Sequence, residues 1–255
     1  MDGRPWVVLP TYDEAENLEP MVAALVPILR EAVGRDAFRV LVVDDDSPDG
    51  TGRIADRLAE EVEEVQVLHR ARREGLGPAY LAGFAEALGA GASHVIEMDA
   101  DFSHEPQDVP RLLGAARDAD LVLGSRYVTG GIVTDWGLVR RIVSRGGSWY
   151  ARRVLRLAVR DLTGGFKCFR REVLEAIDLP TIRSRGYAFQ VELTYRAVCA
   201  GFRVAEIPIV FRDRRLGRSK MSWRIAGEAM LLVPQLRRSS HSVRPAQADR
   251  VAVDP

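Results

Sequence analysis

The sequence predicts a single α/β domain in which a mostly parallel β-sheet is flanked by helices. Short runs rich in β-branched residues alternate with segments of helical periodicity through the first two thirds of the chain, and short connections join them. The 255 residues, of which 47% are hydrophobic, suffice for one substantial core. Because parallel strands are joined by crossovers, this alternation indicates right-handed strand–helix–strand units.

The first half of the chain contains five predicted strands and the helices between them. We expect strands at residues 6–10, 39–44, 65–69, 94–98 and 121–125, and helices at residues 14–33, 51–61, 77–90 and 106–116. The first helix has the clearest pattern, since Leu18, Met21, Val22, Leu25 and Leu29 recur at the spacing of one buried helix face.

The alternation becomes less regular after Tyr127. We expect a long basic helix at residues 140–159, a strand at 166–170, helices at 171–177 and 189–199, a strand at 204–211 and a final amphipathic helix at 222–236. From Arg237 the chain turns mostly polar. The predicted domain therefore spans residues 1–238, and residues 239–255 are expected to form a disordered tail.

Charge is strongly segregated along the chain, although the formal net charge is zero. Residues 1–120 hold 25 acidic and 11 basic side chains, whereas the remaining residues hold 11 acidic and 25 basic ones. This pattern suits an acidic half that binds a metal and a basic half that binds phosphate. No basic motif interleaved with aromatic residues is present, which argues against a nucleic-acid partner.

Two cysteines provide no disulfide framework, and this favours a reducing compartment such as the cytoplasm. We find no signal peptide and no apolar stretch long enough to span a membrane.

Asp99 and Asp101 are the main candidates for a metal site. They lie one residue apart, directly after the predicted strand at residues 94–98, where ligands bind in open α/β sheets. A turn at Ala100 would bring both carboxylates to one divalent cation that holds a diphosphate. A purely structural alternative is that both acids cap the next helix.

Three further motifs follow predicted strands or open helices. Residues 10–14 read Pro-Thr-Tyr-Asp-Glu, residues 43–51 read Val-Asp-Asp-Asp-Ser-Pro-Asp-Gly-Thr, and residues 72–80 read Arg-Arg-Glu-Gly-Leu-Gly-Pro-Ala-Tyr. Each could be ordinary loop or turn chemistry, or could place polar groups beside a nucleotide. The last motif is not the dinucleotide fingerprint, because its third glycine, Gly83, comes too late; this disfavours an oxidoreductase.

In combination, these motifs resemble the inverting family 2 glycosyltransferases with the GT-A fold, which is a Rossmann-like fold. Within that family they resemble the dolichyl- and polyprenyl-phosphate mannose synthases. The resemblance extends from about Trp6 to Trp223 and includes the segments at residues 124–127, 144–146, 161–166 and 213–220. The Gln-x-x-Arg-Trp segment found in many processive members of the family is absent.

The resemblance implies roles for the matching residues. Pro10, Tyr12, Glu14 and Ala100 would line the guanosine nucleotide site, with Asp44 or Asp46 near the base or ribose; Asp99 and Asp101 would bind Mg2+ or Mn2+; Arg126 and Arg140 would hold the acceptor phosphate; Arg214 and Lys220 would close over the donor phosphates. The implied substrates are GDP-mannose and a polyprenyl monophosphate.

Two residues depart from the family pattern. Ser103 replaces a glutamine that many relatives carry two residues after the second aspartate, so a third metal ligand there is in doubt. Asp46 replaces the usual glycine of the Asp-Asp-Gly-Ser turn, which leaves open which acid contacts the nucleoside.

A polyprenyl acceptor also implies a membrane surface. The basic segment at residues 140–160 and the helix at 222–236 are candidates to lie on the cytoplasmic face, unless both simply pack on the sheet. A separate membrane-anchored protein is an expected partner. Two alternatives remain: a UDP-glucose or UDP-N-acetylglucosamine donor, and a non-catalytic subunit that binds a nucleotide sugar.

Overall fold

The structure is a computed structural model that describes residues 3–182, 184, 186–212, 233–238 and 252–253. Its main sheet contains strands β1 (Pro5–Thr11), β2 (Arg39–Asp44), β3 (Val65–His69), β4 (His94–Glu97), β5 (Leu121–Ser125), β7 (Lys167–Arg170), β8 (Val204–Pro208) and β10 (Ala252–Val253). A second, two-stranded sheet pairs β6 (Ile132–Val133) with β9 (Val210–Phe211).

The main sheet is mostly parallel, as predicted. Its strand order is β10-β8-β5-β7-β4-β1-β2-β3, and only β7 runs antiparallel to its neighbours β4 and β5. The carboxyl ends of β1, β2 and β4 therefore meet at one edge of the sheet, where open α/β sheets bind ligands.

Helices cover both faces of the sheet. They are α1 (Ala15–Val33), α2 (Thr51–Glu61), α3 (Leu76–Gly89), α4 (Val109–Ala115), α5 (Leu138–Leu155), α6 (Arg171–Ala176) and α7 (Gly186–Cys199), with short 3-10 turns at Pro106–Asp108 and Leu179–Thr181. Alternate residues of β1 enter opposite cores: Val7 joins the cluster that contains α1, and Val8 joins the cluster that contains α3. This alternation is that of a strand buried on both faces.

Most predicted elements are confirmed within a few residues, but the strand predicted at residues 204–211 is wrong as a single element. The chain leaves the main sheet after Pro208 and enters the small sheet at Val210. The change of sheet occurs at Ile209, whose N–H still donates to the Ser125 carbonyl of β5 at 3.1 Å while its carbonyl accepts the Ile132 N–H of β6 at 3.0 Å. The predicted helix at 140–159 starts earlier and ends at Leu155, and the strand β6 was not predicted.

The C-terminal segment is described only in part. Residues 233–238 are helical and Ala252–Val253 pairs with β8, whereas most of the helix predicted at 222–236 and most of the tail lie outside the described residues. The domain boundary at residue 238 and the disordered tail therefore stay predictions. In the part of the chain that the structure describes, no helix is long and apolar enough to cross a membrane.

Candidate active site

A cavity of about 400 Å3 opens at the carboxyl edge of the main sheet. Eight of the residues singled out from the sequence line it: Pro10, Tyr12, Glu14, Asp99, Ala100, Asp101, Arg126 and Arg140. Residues from β1, the segment after β4, the end of β5 and the start of α5 thus converge on one space.

The two aspartates after β4 are held in fixed positions. Asp99 Oδ1 accepts a hydrogen bond from the Tyr80 hydroxyl at 3.1 Å, and burial together with the Asp99 charge raises the pKa of Tyr80, which keeps it a donor. Asp101 Oδ1 accepts the Ser103 N–H at 3.0 Å. Phe102, between Asp101 and Ser103, has a φ of 60°, a left-handed backbone conformation that is costly for a bulky residue and that clusters at functional sites.

The donor set suits an open site for a hard divalent cation. Asp99 and Asp101 offer two carboxylates on one cavity, and no cluster of three or more His, Cys, Asp or Glu side chains that could hold a metal occurs among the described residues. A cation held by two carboxylates leaves coordination positions for diphosphate oxygens and water. The buried Ser103 hydroxyl, which also lines the cavity, makes no hydrogen bond within the described structure.

His104 is packed beside the aspartates as a neutral ring. It stacks on Phe166 with 4.9 Å between ring centroids, and its Nδ1 accepts the Asp99 N–H at 3.3 Å. Burial lowers the pKa of His104 to about 4, although the Asp101 charge opposes this shift. The side chain therefore stays uncharged at neutral pH and helps to fix the backbone at Asp99.

Two buried titratable side chains, Lys167 and Glu97, lie beneath the cavity. Lys167 Nζ lies 3.7 Å from Glu97 Oε1 and donates to Gln190 Oε1 at 2.5 Å and to the Gln190 carbonyl at 2.9 Å. Burial raises the pKa of Glu97 to about 8 and lowers that of Lys167, while each charge partly offsets the shift of the other. This pair supports Gln190, which lines the cavity.

At the β1 end of the cavity, Tyr12 and Glu14 lie on the loop that starts α1. The Arg73 guanidinium lies over the Tyr12 ring, 3.9 Å from its centroid. The Glu14 N–H donates to Thr51 Oγ1 at 3.0 Å. The Asp49-Gly50-Thr51 turn after β2 thus acts structurally, by holding the loop that carries the cavity residues.

The three consecutive acids at the end of β2 place their side chains differently. The one that lines the cavity is not one of the two that the resemblance implies. Asp44 is buried and accepts the Ser47 N–H at 3.3 Å, and Asp46 is exposed with a φ of 61°. Asp45 lines the cavity, accepts the Gly75 N–H at 2.7 Å and pairs with Arg70. Asp46 thus adopts the left-handed backbone that glycine favours and aspartate tolerates.

At the α5 end of the cavity, Arg126 is buried against Asp161. Its Nε and Nη2 donate to the two Asp161 oxygens at 2.7 Å each, and Nη2 also donates to Thr163 Oγ1 at 2.9 Å. Burial alone would raise the pKa of Asp161, but the Arg126 charge and hydrogen bonds outweigh it and hold that pKa below its usual value. The pair is therefore ionised, and its cationic partner lines the cavity.

Arg140 and two aromatic residues complete this end. The Arg140 guanidinium lies 4.2 Å from the centroid of Trp136, and Trp136 packs edge-on against Phe211. The pairing of β6 with β9 brings the segment before α5 beside Phe211. Trp136 was missed from the sequence because it lies outside every motif that follows a strand of the main sheet.

The remaining two predicted residues, Arg214 and Lys220, lie outside the described residues, so their roles stay predictions.

Comparison with known proteins identifies similar sequences and folds. Residues 6–178 match the model for Glycosyl transferase family 2. An undecaprenyl-phosphate mannosyltransferase of Micrococcus luteus is 48% identical over 230 residues, covering 90% of this chain and 92% of that protein. A polyprenol monophosphomannose synthase of Mycolicibacterium smegmatis is 47% identical over 234 residues, covering 91% of this chain and 86% of that protein.

Solved structures with lower sequence identity share the fold. Glucosyl-3-phosphoglycerate synthase from Mycobacterium tuberculosis, in complex with Mn2+, UDP and its product, has a TM-score of 0.65 at 20% identity, covering 96% of this chain and 82% of that one. A mannosyltransferase from Pyrobaculum calidifontis, in complex with GDP-Man and Mn2+, has a TM-score of 0.61 at 17% identity, covering 97% of this chain and 67% of that one. The predicted GT-A fold is confirmed by these neighbours.

Proposed function

This chain belongs to glycosyl transferase family 2, and we propose that it transfers mannose from GDP-mannose to a polyprenyl monophosphate with inversion. The observation that carries the proposal is the convergence of a carboxylate pair, Asp99 and Asp101, and a cationic pair, Arg126 and Arg140, on one cavity. The first pair suits a metal-bound diphosphate and the second suits an acceptor phosphate. The two relatives at 47% and 48% identity support the choice of sugar and acceptor.

The carboxylates would hold Mg2+ or Mn2+ together with the donor diphosphate. When bound, the cation neutralises the charge that grows on the leaving β-phosphate. The protein holds Asp99 through Tyr80 and Asp101 through the Ser103 N–H, so both acids are oriented before the nucleotide arrives. Arg214 and Lys220 are proposed to add positive charge over the same phosphates.

The β1 end of the cavity is the proposed nucleoside site. Pro10, Tyr12, Glu14 and Ala100 would line it, as the resemblance implies. We assign the contribution of the second motif to Asp45 instead of Asp44 or Asp46, since Asp45 lines the cavity and fixes Gly75 at its wall.

The acceptor phosphate is a nucleophile that needs no general base. Its oxygen is already anionic at neutral pH, so the protein has only to align it behind the anomeric carbon. The nearby His104 and Gln190 agree with this, because the His104 Nδ1 accepts a backbone N–H and a glutamine amide does not take up protons. A single displacement on an α-linked donor gives β-linked mannosyl phosphate.

A lipid acceptor places the α5 end of the cavity at a membrane surface. The exposed side chains of α5 include Ile142 and Trp149, at 61% and 65% of their full accessible area, with Arg141 and Arg145 beside them. Apolar groups among arginines suit the interface of an anionic leaflet. We therefore propose peripheral binding to the cytoplasmic face of the membrane, with a separate membrane-anchored protein as a further partner.

The test is a transfer assay with a panel of nucleotide sugars, a polyprenyl phosphate and either Mg2+ or Mn2+. We expect turnover with GDP-mannose and a β-linked product. Turnover with UDP-glucose or UDP-N-acetylglucosamine, and none with GDP-mannose, would contradict the proposed donor. Calorimetric titration with GDP and Mn2+ separates an active site from a decayed one, because a decayed site would lack metal-dependent binding.

A further inference from the structure

We propose that the indole N–H of Trp136 is a third donor to the acceptor phosphate, beside Arg126 and Arg140. This inference rests on the proposed function, since it takes the α5 end of the cavity as the phosphate site. Trp136 lies outside the motifs that suggested the other site residues, and its assignment comes from the structure alone.

The indole nitrogen of Trp136 is buried without a protein partner. The side chain is 8% exposed and lines the cavity, and its Nε1 makes no hydrogen bond within the described part of the chain. Buried donors in proteins are almost always paired with protein, water or ligand. An indole N–H can only donate, so the missing partner must supply an acceptor atom.

The surroundings of Trp136 select an anion as that acceptor. The guanidinium carbons of Arg140 and Arg126 lie 4.2 and 5.4 Å from the centroid of the Trp136 ring. The Nε and Nη2 of Arg126 donate hydrogen bonds to its counter-ion, Asp161. Two cations and a neutral donor at one wall form a site rich in donors, which suits the several oxygens of a phosphate.

The small sheet fixes the indole in place. Thr134, two residues before Trp136, donates its N–H to the Phe211 carbonyl at 2.9 Å, and the Phe211 ring packs edge-on against the indole at 5.2 Å. The indole in turn supports the Arg140 guanidinium through a cation–π contact. Trp136 thus combines two roles, direct donation to the ligand and orientation of a neighbouring cation, and the two can be separated by substitution.

The test compares Trp136→Phe with the wild-type protein, using farnesyl phosphate as a short-chain acceptor in solution. Phenylalanine keeps an aromatic face for Arg140 and removes the N–H. We expect the KM for farnesyl phosphate to rise about tenfold, as for the loss of one hydrogen bond to a charged group, with the KM for GDP-mannose within about twofold of wild type. Trp6→Phe is the matched control, because Trp6 is also buried but does not line the cavity.

A second variant separates the N–H from the size of the ring. Replacement of Trp136 by benzothienylalanine keeps both rings and exchanges N–H for sulfur. We expect it to raise the KM for farnesyl phosphate as Trp136→Phe does. Wild-type KM in the benzothienylalanine protein would overturn the proposal, and so would an effect of Trp136→Phe on the KM for GDP-mannose alone.

Direct binding distinguishes failure of this inference from failure of the proposed function. Calorimetry measures the affinity for farnesyl phosphate without turnover. A wild-type protein that binds farnesyl phosphate but transfers no mannose would contradict the proposed function. The affinities of wild type and Trp136→Phe for farnesyl phosphate would still test the role of the indole N–H. Equal affinity in wild type and Trp136→Phe would overturn the inference.

Discussion

The guanidinium of Arg126 lines the cavity while Asp161 and Thr163 hold two of its nitrogens from below. Arg126, which would contact the acceptor phosphate, is thus oriented by Asp161. Asp161 is held in turn through its backbone N–H, which donates to the buried Glu206 at 2.9 Å. Such preorganisation lowers the cost of aligning the acceptor.

We expect Asp161→Asn to destabilise the protein by about 3–5 kcal/mol, because it leaves the buried Arg126 charge without its partner. Urea unfolding measures the loss. The control is Asp120→Asn, which breaks a half-buried pair with Arg170 and should cost about 1 kcal/mol or less. Equal losses in the two variants would contradict the assigned weight of the Arg126–Asp161 pair.

Glu64, which does not line the cavity, should make the stability of the protein depend on pH. Hydrogen bonds from Arg30, at 2.7 Å to each carboxylate oxygen, lower the pKa of Glu64 to about 2, against an ordinary value of 4.5. The stabilisation is therefore complete above pH 4.5 and is lost as the pH falls toward 2. In urea unfolding between pH 6 and 3, Glu64→Gln should show a shallower loss of stability than wild type; parallel curves would contradict the assignment.

Two features of the cavity could not be predicted from the sequence: which acid of the turn after β2 lines it, and the presence of Trp136. The acidic turn after β2 was recognised, but Asp44, Asp45 and Asp46 differ only in backbone direction, which the composition of the turn does not reveal. Asp46 is exposed with a left-handed φ, whereas Asp45 lines the cavity. Trp136 reaches the cavity through the pairing of β6 with β9, and a contact between strands about 80 residues apart leaves no local pattern.

At the scale of elements, the alternating segments of the first half were predictable because each has its own periodicity and turn chemistry. The helix boundaries of α2 and the strand boundaries of β2, β3 and β5 agree with the sequence-based prediction. The split between β8 and β9 was not predicted, since both strands lie within one apolar run. The antiparallel position of β7 between β4 and β5 depends on tertiary pairing and has no sequence signature.

Helix α3 packs closely on the sheet at Gly83. A Cβ added to Gly83 would lie 2.5 Å from Val8 Cγ1 and 3.0 Å from Val43 Cγ2, on the strands that carry the nucleoside end of the cavity. We expect Gly83→Ala to destabilise the protein by about 1–3 kcal/mol through overpacking. Thermal unfolding measures the change.

The matched control for Gly83→Ala is Gly89→Ala in the same helix. A Cβ at Gly89 meets no atom within 4 Å, so the substitution should be neutral or slightly stabilising, as expected for alanine in a helix. A stable Gly83→Ala variant would mean that α3 can move away from β1 and β2 without cost.

At the scale of the whole molecule, the two halves of the chain differ in charge and divide the proposed chemistry. The acidic first half provides Asp99 and Asp101, and the basic second half provides Arg126 and Arg140 and the exposed arginines of α5. This division was visible in the sequence, whereas the shape of the cavity between the two was not. The fold brings the two halves together by inserting β7 beside β4 and β5.

The exposed face of α5 leads to a prediction about membranes. We expect the protein to bind vesicles with anionic lipids more tightly than neutral vesicles, and to dissociate as salt rises and screens its arginines. Trp149→Ser should weaken vesicle binding, because it removes an exposed indole that suits the interface. Flotation with vesicles measures both effects; binding that is independent of lipid charge and of Trp149 would contradict this surface.

We propose that one cavity holds a metal-bound GDP-mannose and a polyprenyl phosphate in line for a single displacement. The most direct test is the transfer of radiolabelled mannose from GDP-mannose to polyprenyl phosphate, with Mg2+ or Mn2+, by wild-type protein and by Asp101→Ala. We expect β-linked mannosyl phosphate from wild type, and a loss of at least about a hundredfold in Asp101→Ala with the fold retained. Transfer that is undiminished in Asp101→Ala, or a product with retained configuration, would contradict it.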